Sequence, residues 1–237
     1  MKHVLLAGGV AAVLTACAPT SVQETYQLDA PLRRPARILV YDFTGDASEV
    51  HLDRGIGAQI ESMTSDVTPE QQKIEAGRAA ARTISNELVR HLNEMGMPAQ
   101  RAFGAPTHWG NSLVVEGQFV SIDEGNRTKR LVIGLGAGAS DMQTKVQVYT
   151  TAPGGLQQVQ DFSTNVASGM KPGMAETMGV GAAAGTLGTA AAVGAGAGIG
   201  SEAWSAGVDA EAKRTAKAIA RRMQTYFVEQ GWIPAPE

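Results

Sequence analysis

The amino-acid sequence predicts an α+β domain: a mixed or antiparallel sheet of about five strands packed by two helices. Three observations predict it. Two long segments, near 69–95 and 205–230, carry apolar residues at helical spacing. Several shorter segments are rich in β-branched and aromatic residues and alternate, or run apolar, over the length of a strand. Their order is strand, helix, four strands, helix, and short turn signals join the strands after the first helix, which favours neighbouring pairing in one sheet with the helices against it.

The chain begins with a targeting pattern. Met1-Lys2-His3 is a short positive start, and Val4 to Val13 is an uncharged, mostly apolar run. Such a run is too short to cross a bilayer core of about 30 Å as a permanent helix, but it suits the apolar region of a signal peptide. Leu14-Thr15-Ala16-Cys17 follows: an aliphatic residue, two small ones and a cysteine, the pattern of a lipoprotein cleavage site. Cleavage is expected between Ala16 and Cys17, with lipid attached to Cys17. Cys17 is the only cysteine in the chain. A lone cysteine in an oxidising compartment has no disulfide partner, so lipidation is the economical reading. Three acyl chains on one residue exceed the two signals that stable anchoring needs. Ala18 follows, not an aspartate, which favours the periplasmic face of the outer membrane. The formal net charge is −3, and losing Lys2 with the leader makes it more negative. Nothing in that balance suggests the clustered positive excess of a nucleic-acid binder.

Residues 17–36 mix Pro, Gln, Ser and Thr without an apolar period and read as a lipidated N-terminus and flexible tether, about 60 Å long if extended. The domain is expected over 37–172 plus 203–232. It opens with Arg37-Ile38-Leu39-Val40-Tyr41-Asp42-Phe43, a buried strand by composition. Residues 44–67 show little pattern and form a long loop or short irregular pieces. Thr68 as cap, Pro69 at the first helical position and Gln71 completing a capping box start the first helix. Ile74, Ala81, Ile84, Leu88, Leu92 and Met95 make its stripe, and Gly96 and Pro98 end it. Strands are expected over 113–122, 129–135, 141–151 and 156–167, with turns at Gly125-Asn126 and Pro153-Gly154-Gly155. On the last helix Val208, Ala212, Thr215, Ile219, Met223 and Tyr226 or Phe227 form the apolar face, and Gly231 and Pro234 stop it.

Between these elements, 173–202 is a Gly/Ala-rich segment, and no charge occurs from Thr177 to Ser201. Gly181, Gly185, Gly188, Gly194 and Gly198 include the small-xxx-small spacing that lets helices approach closely in lipid. The length also suits a membrane span. The magnitudes oppose unaided insertion. Val180, Leu187, Val193 and Ile199 together contribute about −2 kcal/mol to insertion. The glycines of the run cost a helix about 0.8–1.0 kcal/mol each relative to alanine, a larger sum. Two readings stay open: an oligomerising or membrane-associated glycine zipper, or a helical hairpin or flexible insertion outside lipid.

No constellation of catalytic residues stands out, and the chain is not expected to be an enzyme. Gly134, Gly136 and Gly138 follow a predicted strand, but the spacing is GxGxG and no helix pattern follows to offer its N-terminus to a phosphate. A bend or bulge accounts for them, and no cofactor is expected. His51, His91 and His108 have no ligand spacing, so no metal site is expected. Asp42 and Asp46, flanking Phe43-Thr44-Gly45, read as a solvated turn pair. Lys213, Arg214, Lys217, Arg221 and Arg222 give the last helix a basic region, which nearby Glu202, Asp209 and Glu211 mark as an ordinary solvated face.

Val115-Glu116-Gly117-Gln118-Phe119, then Ile122-Asp123-Glu124-Gly125-Asn126-Arg127, Arg130 and Ile133-Gly134-Leu135-Gly136-Ala137-Gly138-Ala139-Ser140, resemble the core signature of a bacterial lipoprotein family of unknown function (domain-of-unknown-function family 4410). The resemblance covers roughly 36–230. It marks Gly125, Arg127, Arg130, Gly134, Gly136 and Gly138 as family-motif residues and implies no activity or catalytic residue. More loosely, the layout resembles the periplasmic domain of the curli secretion lipoprotein, which implies fold and not function. If that likeness held, Arg127 and Arg130 would pin a strand turn or bind a partner.

The leading expectation is a lipid-anchored periplasmic envelope protein with a binding or assembly-accessory role. Its partners would be the membrane, through lipid on Cys17, and an envelope protein met by the sheet edge or the 44–67 loop, with no nucleic acid. The alternative is a membrane or secretion component that forms a homo-oligomer through its glycine-rich segment.

Overall fold

The computed structural model describes residues 20–53, 67–104, 110–125, 139–168 and 200–236. The fold is α+β, as expected, with one mixed sheet and two helices. The strands are β1 (Thr20–Gln27), β2 (Arg37–Tyr41), β3 (Val50–His51), β4 (Ala99–Ala102), β5 (Ser112–Asp123), β6 (Asp141–Ala152) and β7 (Gly155–Ala167). The helices are α1 (Pro69–Glu94) and α2 (Gly200–Glu229). The sheet order is β1-β7-β6-β5-β2-β4, with β3 also paired to β5.

β5, β6 and β7 form an antiparallel meander. Two residues, Pro153 and Gly154, turn the β6–β7 hairpin, where Ala152 pairs Gly155 and Gly154 takes φ +101°. β2 lies parallel to both β4 and β5, and α1 makes the crossover between β2 and β4.

Helix α1 starts as its sequence dictates. The Thr68 hydroxyl accepts from the Gln71 amide, and the Gln71 side chain reaches back to the Thr68 amide at 3.1 Å. Gly96, at φ +77°, ends the helix in a left-handed turn. Ala76, Ala80, Ala81, Ile84, Leu88 and Leu92 are buried against the sheet and α2, whereas Ile74, at the N-terminal end of the predicted stripe, is exposed. The predicted face of α2 is buried throughout: Val208, Ala212, Thr215, Ile219, Met223, Tyr226 and Phe227. The core lies between this helical layer and one sheet face, which contributes Ile38, Val40, Leu113, Val115, Phe119, Ile122, Met142, Val146 and Phe162.

Three strands exceed the expected set. Residues 20–27 were expected within a flexible tether, yet they form β1, antiparallel to β7 from Thr20↔Val166 to Gln27↔Gln160. Nearly all of its side chains are exposed, so no apolar alternation advertises it; its stability comes from the ladder and from two side chains, Glu24 and Gln27, that meet Arg222 of α2. β3 and β4 are only two and four residues long, too short for a periodicity. The patternless stretch after β2 runs beside β5: Thr44 bridges Gln118, a single 3₁₀ turn covers Ala47–Glu49, and β3 then pairs Ile122 and Asp123. The strand expected over 129–135 lies outside the described residues, as do the leader, Ala16, Cys17 and the glycine-rich segment with Gly181, Gly185, Gly188, Gly194 and Gly198.

Candidate functional site

The alternation of β5, β6 and β7 sends one set of side chains to the core and the other to the opposite sheet face. Among the described residues, no helix packs on that second face. Strand register writes it out as cross-strand rows: Gln118, Lys145, Ser163 and Gln23; Glu116, Gln147, Asp161 and Tyr26; Ser121, Gln143, Asn165 and Ser21. These are amide, hydroxyl and charged groups on a flat surface. Asp161 is its anchor point, because its Oδ2 accepts from Gln147 Nε2 at 3.3 Å and Gln158 Nε2 at 3.2 Å and lies 3.5 Å from Lys145 Nζ. It is largely buried among those donors. Tyr149 stands nearby, and partial burial, then the carboxylates of Glu116 and Asp161, hold its phenol pKa above the usual value.

A shallow cleft of about 420 Å³ opens on this face where β2 and β4 end. Tyr41 and Phe103 supply its aromatic rim, and Glu116, Gln118, Lys145 and Gln147 its polar floor. Phe103 is 74% exposed. The Arg101 guanidinium lies 4.9 Å from its ring centre and is held by two bonds to Asp42, at 2.5 and 2.6 Å. This contact favours one position of the exposed ring, which lowers the side-chain entropy lost on binding.

The chain runs close beside β5 because of a glycine. A Cβ on Gly117 would sit 2.2 Å from Cε1 of Phe43, so only glycine lets the Phe43 ring lie on the β5 backbone. Phe43 then packs against Phe119 with ring centres 6.0 Å apart, while the Thr44 amide donates to the Gly117 carbonyl and the Phe119 amide donates to the Thr44 carbonyl. Gly117 and Phe119 of the family signature are thus the seat on which the cleft wall rests. Gly125 takes φ +70° and donates its amide to Asp123 Oδ1 at 2.7 Å, closing the turn after β5.

A family model with the description "domain of unknown function (DUF4410)" matches residues 38–185, more than half of the chain. The chain belongs to this family. It is the family the residue signature resembles, over a shorter span than the 36–230 expected. Within DUF4410, the matched region runs from β2 into the glycine-rich segment. Similar solved structures include the PelC dodecamer from Paraburkholderia phytofirmans, at 13% identity and TM-score 0.34, covering 63% of this chain and 81% of that one. Another is the hypothetical protein CT253 from Chlamydia trachomatis, at 8% identity and TM-score 0.32, covering 57% and 73%. No curated protein matches.

Of the DUF4410 motif residues singled out in sequence, Gly125 falls within the described residues; Arg127, Arg130, Gly134, Gly136 and Gly138 lie outside them. Asp42 and Asp46, expected as a solvated pair, have separate roles. Asp42 holds Arg101, while the Asp46 amide donates to Glu49 Oε2 at 2.9 Å in the 3₁₀ turn. The basic helix region is partly engaged as well: Lys213 pairs Asp209 at 2.7 Å, Arg214 pairs the buried Glu211, and Arg222 pairs Glu24. Lys213, Lys217 and Arg221 are its exposed members. His51 and His91 lie on β3 and α1, His108 is outside the described residues, and no group of three metal-ligating side chains occurs among the described residues. Sequence reasoning missed Tyr41, Phe103 and Asp161. The signal for Asp161 was there: polar residues alternate with Met142, Thr144, Val146 and Val148 along β6, and their strand partners must share their face.

Proposed function

We propose that this protein is a lipid-anchored envelope protein on the periplasmic face of the outer membrane, and that its role is non-catalytic recognition of another envelope protein by the uncovered sheet face. The observation that carries the reading is the form of that face: polar cross-strand rows beside a cleft whose exposed Phe103 ring is contacted by the Asp42-bound Arg101. Such a surface supplies hydrogen-bond partners and aromatic area for binding. Its most buried carboxylate, Asp161, is tied up by three neighbours and serves as structure. The anchoring part rests on Leu14-Thr15-Ala16-Cys17 and on Cys17 being the single cysteine.

In-cell photocrosslinking tests the reading. A photoreactive residue at Phe103 or Gln147 is expected to give an adduct with a different envelope protein, and one at exposed Lys217 on α2 is expected to give none. Adducts from Lys217 alone would refute the assignment of the face. Adducts only between two copies of the chain would favour self-assembly through the uncharged 177–201 run instead.

A further inference from the structure

The anchor and the strand register together orient the domain on the membrane. Resting on the lipidation proposed above, we infer that one end of the sheet is a membrane-facing pole held close to the lipid surface. This pole is formed by the start of β1, the ends of β5 and β7 and the start of β6.

The argument begins with β1. Had residues 18–36 been a tether, the domain could roam about 60 Å from the bilayer. Instead β1 is paired from Thr20, leaving only Ala18 and Pro19 between the lipidated residue and the sheet. Three residue steps span about 10 Å at most. Acyl chains on Cys17 are buried in the bilayer, so Thr20 is held near the headgroups. Register then fixes what lies beside it. Thr20 pairs Val166, Val166 pairs Met142, and Asp141 pairs both Ala167 and Asp123. β3 joins the same end through His51↔Asp123, and the Asp53 amide is bonded to Glu124 there.

The helices agree. Gly77, early in α1, lies against Val50 of β3, while Asn93, at its other end, bonds Ala99. On α2, Arg222 meets Glu24 and Glu229 meets Gln27, so α2 runs the same way as β1, away from Thr20. Both helices therefore point their N-terminal ends toward the pole's side, and their first turns extend past the end of the sheet. The chain leaves the sheet after Ser168, and the uncharged run from Thr177 ends in the first turn of α2. The opposite end carries the Pro153-Gly154 turn and Arg37. β7, at about 3.3 Å per residue, separates the two ends by roughly 40 Å. The recognition face then stands upright from the membrane and looks sideways into the periplasm.

The test uses the full-length, membrane-extracted protein, in which the Cys17 sulfur is consumed by lipid. Two single variants, Asn165→Cys near the pole and Gln157→Cys near the other end, are both at exposed positions on β7, about 26 Å apart. Each carries a fluorophore and is reconstituted into phosphatidylethanolamine–phosphatidylglycerol vesicles holding headgroup-spin-labelled lipid. At least threefold stronger quenching is expected at 165 than at 157. Inserting twelve Gly/Ser residues between Pro19 and Thr20 is expected to remove the difference. Equal or reversed quenching, with mass spectrometry showing lipid on Cys17, overturns the orientation and leaves the anchoring intact. Quenching at 165 that fades as protein density rises overturns it in favour of a second copy covering the pole. Unmodified Cys17 overturns the anchoring, and the orientation with it.

Discussion

Single residues decide how β2 reaches the cleft and how the core responds to pH. Gly117→Ala would place a methyl inside the Phe43 ring and is expected to cost about 1–3 kcal/mol by overpacking. Adding Phe43→Leu should recover part of that cost in a double-mutant cycle of denaturant midpoints, because the clash is a pairwise term. Tyr226 is fully buried, its hydroxyl has no hydrogen-bond partner among the described residues, and burial, then Glu229, raises its pKa to about 12. The neutral form is thus the one the fold favours. Its contribution is complete below the unfolded value near 10 and is lost as pH rises towards 12, at a cost of up to about 3 kcal/mol. Tyr226→Phe is expected to match or exceed the parent in stability at pH 7 and to lose less stability by pH 11, measured by urea unfolding at both values. The sequence made the Tyr226 position legible through helical spacing. It could not show that the hydroxyl goes unpartnered, which depends on Trp232 folding back so that its ring packs edge-on at 5.8 Å.

At the scale of elements, legibility followed periodicity. α1, α2, β5, β6 and β7 are long and one-sided, and their spacing predicts both their type and their buried face. β1 is an exposed edge strand whose identity lies in backbone pairing with β7, so no side-chain pattern reports it. Amide exchange is expected to resolve it: alternate amides along Thr20–Gln27 should be protected, those facing β7 slow and those facing outward fast. Uniformly fast exchange would restore the tether reading. The cap of α1 was fully legible in Thr68-Pro69-Glu70-Gln71, and Thr68→Ala is expected to cost about 1 kcal/mol by thermal unfolding. The cleft was the least legible element, because it joins Tyr41, Phe103 and Lys145, which the parallel β2–β4 and β2–β5 pairings and the antiparallel β5–β6 pairing bring together.

For the whole molecule, β1 begins at Thr20, three positions after Cys17, the residue proposed to carry the lipid. Under that proposal anchoring, orientation and recognition would follow from one chain path: lipid at Cys17, β1 running along β7, and a polar sheet face exposed between the proposed pole and the β6–β7 turn. Anchoring, orientation and the place of recognition all require lipid on Cys17, which metabolic labelling reports. Cells making the full-length chain are fed radiolabelled palmitate, beside cells making Cys17→Ser, and both are fractionated. Label is expected on the parent protein in the outer-membrane fraction, with an unlabelled variant that leaves that fraction. A parent protein without label, or a Cys17→Ser variant labelled and retained to the same degree, would contradict the anchoring.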